Sequence, residues 1–574
     1  MRTFSSKFEE NIKDVKYLII GAVAGGASTA ARLRRLDEKA EIVIFEKGQY
    51  ISYANCGLPY YIGNVIKDRN KLFVQTAISF STRFNIDVRI GTEVTSISPE
   101  QKTVTAVNLQ SGEAYIESYD KLVLSPGANP IRPQLSGIGI DGIFTVRNVT
   151  DTDYIKEFIN ARKVKKALIV GAGFIGLEMA ENFHELGLDV SVVEMGSQIL
   201  APVDFPVAAI AQKHLRKKGI DLHLNTSVTG FVKNGAAIEV QLSTDQEIEA
   251  DIVILSIGVK PDTQLAEKAG LALGTAKGIY VNEYLQTSDP DIYAVGDAIE
   301  FASPISGQST VTFLAGPANK QGRICANNLV FGNVQTYKGS INTSIVKLFD
   351  LTVGAAGMSA KQLKRNGIEH IVSTIHGNSH AGYYPDSQLM TIQIAFSPDS
   401  GRLLSAQVIG KEGADKRVDL LAAVIKNEGT VYDLIEIEHA YAPPFSSAKD
   451  PVNMAGFVAE NILLGRLRIF QCSELKSLKV NSFLLDVRTE SEFISGSIRG
   501  AVNIPLDEIR NRLEEIPDDK DVYIFCQQGM RGYLAQRILI QRGFKNVANL
   551  SGGYLLWKTY CEEINRGQVE PVCV

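Results

Sequence analysis

The sequence predicts an α/β chain of several domains, and three observations carry that prediction. At 574 residues the chain exceeds what one hydrophobic core organises, so three or four domains are expected. A pattern of apolar strand, glycine turn, helix, apolar strand and terminal acid occurs twice, as KYLIIGAVAGGASTAARLRR with EIVIFEK and as KALIVGAGFIGLEMAENFHE with VSVVEMG. From about Ser340 the pattern becomes longer strands followed by helices near 416–427 and 431–436, and beyond LLGRLRIFQC a fresh strand–helix alternation begins.

The first glycine turn, Gly21-Ala-Val-Ala-Gly25-Gly26, ends a strand and opens a helix, where backbone N–H groups and the helix dipole suit a pyrophosphate. Glu46 ends the next strand, placed for a ribose hydroxyl. The second turn, Gly171-Ala-Gly173-Phe-Ile-Gly176, is a complete GxGxxG, and Glu194 ends the strand after it. A carboxylate there attracts a 2′-hydroxyl and repels a 2′-phosphate, which favours NADH, while a Lys or Arg elsewhere would admit NADPH. Far along the chain, TSDPDIYAVGDA sets Asp297 after a strand and a glycine, where its carboxylate can accept from a ribityl chain.

Those two turns with the distant GD motif resemble the two-dinucleotide-binding flavoproteins, and YDKLVLSPGANP matches their connecting motif with Ser125-Pro126-Gly127 in place of Ala-Thr-Gly. The resemblance implies FAD on Gly21, Gly25, Gly26, Glu46, Lys47 and Asp297. It implies the nicotinamide nucleotide on Gly171, Gly173, Gly176 and Glu194, with Glu178 facing the nicotinamide. It also places a redox cysteine at Cys56, in SYANCGLPY. Dithiol members have a second cysteine five residues on; here that position is Tyr61, so Cys56 must cycle through a mixed disulfide with a small thiol or through a sulfenic acid.

SYANCG, HAGYYP (380–385) and HAYAPPFSSAKDP (439–451) together resemble the coenzyme A-disulfide reductase family over residues 15–465. That resemblance implies a homodimer in which Tyr383 and Tyr441 serve the other subunit's active site, and coenzyme A contacts at Arg32, Arg35, Ser52, Asn55 and Lys449. Phe84 stands where the family has a lysine contact. LLDVRTESEFISGSIRGAVNIP, CQQGMRG and LSGGYLLW resemble a single rhodanese domain, with Cys526 to carry sulfane sulfur, Arg531 to close its loop and Ser497 in place of a common histidine. The fold expected is therefore two nested Rossmann-like dinucleotide-binding domains, an α+β dimerisation domain and a C-terminal α/β rhodanese-like domain. The FAD domain would take 1–164 and 286–339, the NAD(P)H domain 165–285, the dimerisation domain 340–466 and the tail 475–565.

Composition removes other classes. A net charge of −5, from 59 Lys and Arg against 64 Asp and Glu, offers nothing to nucleic acid or an anionic membrane. No apolar run reaches the roughly 18 residues of a transmembrane helix, and the N-terminus does not read as a signal peptide. Six cysteines without a CxxC pair suit a reducing cytoplasm, and Cys561 and Cys573 carry no motif. No metal site is expected. Two alternatives to a reductase of coenzyme A disulfide, coenzyme A persulfide or polysulfide stay open. One is an NADH oxidase or peroxidase using a Cys56 sulfenic acid, against which Ala24 stands where those enzymes carry histidine. The other is a sulfur-delivery scaffold without turnover.

Overall fold

The computed structural model describes residues 15–478 and 481–566. The chain forms two compact units. The first gathers residues up to Gly171 with Asn182–Val190 and Val228–Ser340; the second gathers Ala172–Glu181, Ser191–Ser227 and the chain from Ile341 on. The dividing line passes through the helix Phe174–Glu185 and the strand Asp189–Val193, so the 165–285 segment contributes to both units.

In the first unit a five-stranded sheet runs in the order Ile292–Ala294, Lys121–Leu124, Lys16–Ile20, Glu41–Glu46, Asp87–Ile90, with every pairing parallel. Its central strands, YLII and IVIF, are apolar without alternation because both faces of the sheet are covered. The helices Ala24–Leu36 and Ala315–Phe331 pack so closely that a Cβ on Gly322 would lie 2.6 Å from the Gly25 carbonyl oxygen. The strand Lys166–Val170 pairs in parallel with Ile252–Leu255, the start of the second nucleotide-binding pattern.

The second unit holds a five-stranded antiparallel sheet in the order Ser344–Leu348, Leu351–Gly357, Leu403–Gly410, Leu389–Phe396, Ile371–Asn378. The helix Ala414–Lys426 covers it, where the sequence reads a helix near 416–427. The tail is a parallel sheet in the order Ile469–Phe470, Val547–Leu550, Asp521–Phe525, Ser482–Asp486, Val502–Asn503, flanked by the helices Met530–Gln541 and Gly553–Ile564.

The strand Ile371–Asn378 escapes the sequence reading because IVSTIHGN is too polar for a strand buried on one face. Its polar groups are matched by the tail. The Thr374 amide donates to Ser551 Oγ at 2.9 Å, and His376 Nε2 donates to the Gly552 carbonyl at 2.8 Å while Nδ1 meets Thr391 Oγ1 at 2.9 Å. Phe205 meets Tyr560 edge-on, and Gln212 donates to Glu563 at 3.2 Å. The tail is thus welded to its own unit by a mixed polar and apolar interface. Burial holds His376 below the usual imidazole pKa, which keeps this seam neutral. Among the described residues no helix is long and apolar enough to cross a membrane, and no cluster of His, Cys, Asp and Glu could hold a metal.

Candidate active site

Three sequence-distant motifs meet at one end of the parallel sheet of the first unit, because their strands are neighbours in it. Gly21 (φ +98°) has no room for a side chain, since a Cβ would lie 2.1 Å from the Ser125 carbonyl oxygen. A Cβ on Gly25 would lie 2.8 Å from Val295 Cγ2 and 2.9 Å from Ser125 Oγ. One on Gly26 would lie 1.8 Å from the Gly21 carbonyl oxygen. The glycine loop, the SPG motif and the GD motif therefore form one cradle, and glycine is required for backbone to approach backbone. Glu46 closes it: its Oε2 accepts from the Ala22 amide at 2.9 Å and Oε1 from Gly48 at 2.8 Å. Burial raises the Glu46 pKa, opposed by those amides and by Arg147. Lys47 points instead to Glu93, in an exposed ion pair of 2.6 Å.

Cys56 is exposed and sits in the single turn Asn55–Gly57, directly ahead of the helix Leu58–Ile62. The Ser52 amide donates to the Ala22 carbonyl of the glycine loop at 2.8 Å, and Ser52 itself takes φ 44°. Arg69 lies against the packed rings of Tyr50 and Phe73 and donates to both oxygens of Asp153 at 2.9 and 2.6 Å. Asn55 Oδ1 is buried with no hydrogen-bond partner among the described residues, an acceptor beside Cys56 that awaits a donor. Tyr61 is buried under the Lys156 ammonium, 4.2 Å from its ring centroid, and Lys156 also donates to the Tyr61 carbonyl at 2.7 Å. A packed aromatic thus fills the position where a second cysteine would stand. Arg32 and Arg35 flank the buried Arg34, which donates to the carbonyls of Ala40, Phe84 and Asn85. Burial, with Arg323 and Arg35 nearby, lowers the Arg32 pKa, so three guanidiniums share one surface.

In the second unit the acid of the other nucleotide pattern repeats the geometry of Glu46. Glu194 accepts from the Ala172 amide at 2.8 Å and from Gly196 at 2.7 Å. Its carboxylate is therefore fixed beside the turn opened by Gly171 (φ +101°) and continued by Gly173 and Gly176. Glu178 is partly buried on the helix that follows.

Tyr383 and Tyr441, 58 residues apart, meet hydroxyl to hydroxyl at 2.8 Å. Both are exposed, Tyr383 at 77% and Tyr441 at 47%. Two residues outside the sequence reading hold their loops together. Arg417, buried, donates to Asp450 at 2.7 Å and to the Ser379 carbonyl at 2.8 Å, and Asp450 also accepts from Ser446 Oγ at 2.6 Å. His439 packs beside Asp450 at 3.8 Å with a pKa lowered by burial, consistent with a structural role. Lys449 is exposed next to Asp450.

In the tail, Cys526 directly follows the strand Asp521–Phe525, and its Sγ accepts from the Gly529 amide at 3.1 Å. The Arg531 guanidinium, its pKa raised chiefly by Glu492, also feels the Cys526 sulfur. Cys325 and Cys472 are buried, which pushes their thiols up and leaves them protonated and inert. Cys561, which carries no motif, is disulfide-bonded, and Cys573 lies outside the described residues.

The family pattern Pyridine nucleotide-disulphide oxidoreductase matches residues 15–322, more than half the chain. The chain belongs to the pyridine nucleotide-disulphide oxidoreductase family. It is an enzyme of that family's flavoprotein class. The dimerisation domain of that family matches residues 343–451, and a rhodanese-like domain matches 472–560. A Staphylococcus epidermidis coenzyme A disulfide reductase is 38% identical over 445 residues, covering 78% of this chain and all of the relative. The crystal structure of reduced Bacillus anthracis CoADR-RHD is 48% identical with a TM-score of 0.94, over 96% of this chain and 99% of that one. A NAD-dependent persulfide reductase from A. fulgidus is 34% identical with a TM-score of 0.88, over 94% and 100%.

Within this family's frame the cradle of Gly21, Gly25, Gly26 and Glu46 fits FAD, since its close backbone approaches leave the amides as the lining. Asp297 is buried enough to raise its pKa, and Arg147 opposes that rise. Arg147 is the residue that motif reading missed. Its Nη2 lies 2.6 Å from where a Cβ on Gly127 would stand, Gly127 takes φ +78°, a conformation that favours glycine, and Arg147 is a cation whose field reaches both Glu46 and Asp297. The signal in the sequence was a lone arginine in TVRNVTD, which nothing distinguishes from a surface charge until the sheet brings it to the cradle.

Proposed function

We propose that this enzyme uses NADH to reduce coenzyme A disulfide, coenzyme A persulfide or polysulfide through Cys56, with the rhodanese-like tail handling sulfane sulfur. The observation that carries the reading is the exposed Cys56, whose segment is hydrogen-bonded to the flavin-type cradle, with a packed Tyr61 at the position of a second redox cysteine. With Tyr61 where a second redox cysteine would stand, Cys56 passes in this reading through a mixed disulfide with a small thiol. FAD, when bound, supplies the two-electron relay from the nicotinamide nucleotide. The Cys56 thiolate attacks one sulfur of the substrate and holds it as a mixed disulfide while the second thiolate leaves; two electrons and a proton then release the bound thiol and restore Cys56. Arg32, Arg35 and Lys449 would pair with the phosphates of coenzyme A, and Ser52 and Asn55 would contact the arm near the sulfur. Reducing the purified enzyme and weighing the thiol released tests the substrate: coenzyme A is expected, and a different thiol mass overturns that part of the reading.

The dimerisation domain supports a homodimer, in which the exposed Tyr383–Tyr441 pair serves the other subunit's Cys56. A phenol there donates to the departing thiolate. Burial is absent at Tyr383, whose pKa is raised by its hydrogen bond to Tyr441, so the Tyr383 phenol keeps its proton at neutral pH. Tyr441→Phe should lower kcat by about tenfold and leave the KM for NADH nearly unchanged, because the lost hydrogen bond belongs to the transition state. An unchanged kcat would make Tyr441 a packing residue.

Glu194 supports NADH over NADPH. Its position is fixed by two amides, so a 2′-phosphate must approach a carboxylate that cannot turn away. The ratio of kcat/KM for the two nucleotides should favour NADH by about tenfold or more, the scale of one partly screened charge contact. A preference for NADPH would show that other residues outweigh Glu194.

A further inference from the structure

Two arginines contact the Cys526 loop, and each is fully matched by a carboxylate. Arg531 Nη1 and Nη2 donate in parallel to Glu492 Oε2 and Oε1, both at 2.7 Å. Arg488 is buried at 1% exposure; its Nε and Nη2 donate to Asp486 at 3.0 and 2.6 Å, and its Nη1 reaches Gln527 Oε1 at 3.4 Å. Asp486 is itself fully buried and also accepts from Ser497 Oγ at 2.7 Å. Arg488 lies 4.0 Å over the Tyr554 ring, which seals it from solvent. Glu492 is held in place independently of Arg531, because Oε2 accepts from the Thr489 amide at 3.0 Å. Arg531 holds the Glu492 carboxyl near a pKa of about 2, so it stays ionised across the working range. The two pairs sum to zero, and a Cys526 thiolate makes the centre negative. Met530 in the loop and Leu534, one turn beyond Arg531, are exposed at 53% and 43%, and Ile494, two residues past Glu492, at 76%, so the segments that carry the centre present apolar side chains to solvent.

We propose that this centre takes its sulfur from an organic persulfide and discriminates against the dianion thiosulfate, and that Glu492 is the specificity-determining residue. The proposal rests on the tail being a competent sulfur acceptor. In the accepted reaction the Cys526 thiolate attacks the outer sulfur of R–S–SH. The S–S bond breaks, R–S⁻ departs with the bonding pair and takes a proton from solvent, and Cys526 keeps the outer sulfur as its own persulfide. The same attack on thiosulfate expels sulfite, and a double negative charge must first enter a centre whose two contacting guanidiniums are already paired with carboxylates. An organic persulfide brings at most one charge, and its carbon chain meets those apolar side chains.

The test uses the full-length holoenzyme without NADH, so Cys56 is not being reduced, and follows the mass gain of one sulfur on the peptide carrying Cys526. The donors are thiosulfate and the hydropersulfide of N-acetylcysteamine, whose only ionisable group is its sulfur. The wild type should load from the persulfide at least about tenfold faster than from thiosulfate, the effect of one unmatched charge on encounter and reaction. Glu492→Gln keeps the acceptor oxygen for Thr489 and frees the charge of Arg531. It should speed thiosulfate loading by about tenfold and change persulfide loading by less than about twofold. Glu492→Asp keeps the charge and should keep the preference. Equal loading of the wild type by both donors overturns the proposal, as does an unchanged donor ratio in Glu492→Gln with an unchanged unfolding midpoint. Loading from neither donor overturns it together with the reading of the tail as a sulfur acceptor.

Discussion

Cys56→Ser should lose NADH-dependent reduction of every disulfide and persulfide substrate, by at least about a thousandfold, and keep its FAD. The size follows from chemistry: an alcohol does not form the mixed disulfide, and loss of a nucleophile removes the covalent route rather than weakening a contact. FAD retention follows from structure. The cradle is closed by Gly21, Gly25, Gly26 and Glu46, and the Cys56 side chain is exposed beyond it, so exchanging sulfur for oxygen removes no packing. The flavin absorbance per subunit and its bleaching by NADH report the first half of the expectation, and thiol release reports the second. Thiol release at the wild-type rate would take Cys56 out of the mechanism. Loss of flavin would instead mean that the turn Asn55–Gly57 is part of the cofactor's support.

Cys526→Ser should divide the activities. Reduction of coenzyme A disulfide should stay within about twofold of the wild type, because the route through Cys56 needs no second sulfur. Reactions that park sulfane sulfur on the tail should fall by at least about a hundredfold, since the Gly529 amide and Arg531 have no thiolate to stabilise. The variant should fold, because the tail's seam runs through Thr374, His376, Ser551 and Gly552 rather than through the cysteine sulfur. Both variants assayed against coenzyme A disulfide and an organic persulfide give four rates. Loss of simple disulfide reduction in a folded Cys526→Ser protein would overturn the division of labour, and no change in either reaction would make the tail a scaffold.

The sequence by itself determined the fold class. Two glycine turns at strand ends, each answered by an acid at the end of the next strand, impose the same short-range geometry twice, and CQQGMRG between a strand and a helix does so again. These signals are local. The positive φ at Gly21 and Gly171 and the close approaches of Gly25 and Gly26 are demands that a few consecutive residues meet or fail to meet. What only the tertiary structure decided is long-range matching of polar groups. Arg147 is anonymous until strand order brings it to Glu46 and Asp297. Arg417 and Asp450 become a pair because a helix and a loop bury both, and neither charge would be buried without the other. The polar strand Ile371–Asn378 is a strand because the tail covers it and satisfies His376 and Thr374. Glu492 reads as an ordinary helix-capping acid until Arg531, 39 residues on, is folded against it. In each case the side chain's meaning is set by the charge or hydrogen-bond partner that supplies what burial takes away, and that partner is chosen by the packing of the fold, not by spacing along the chain.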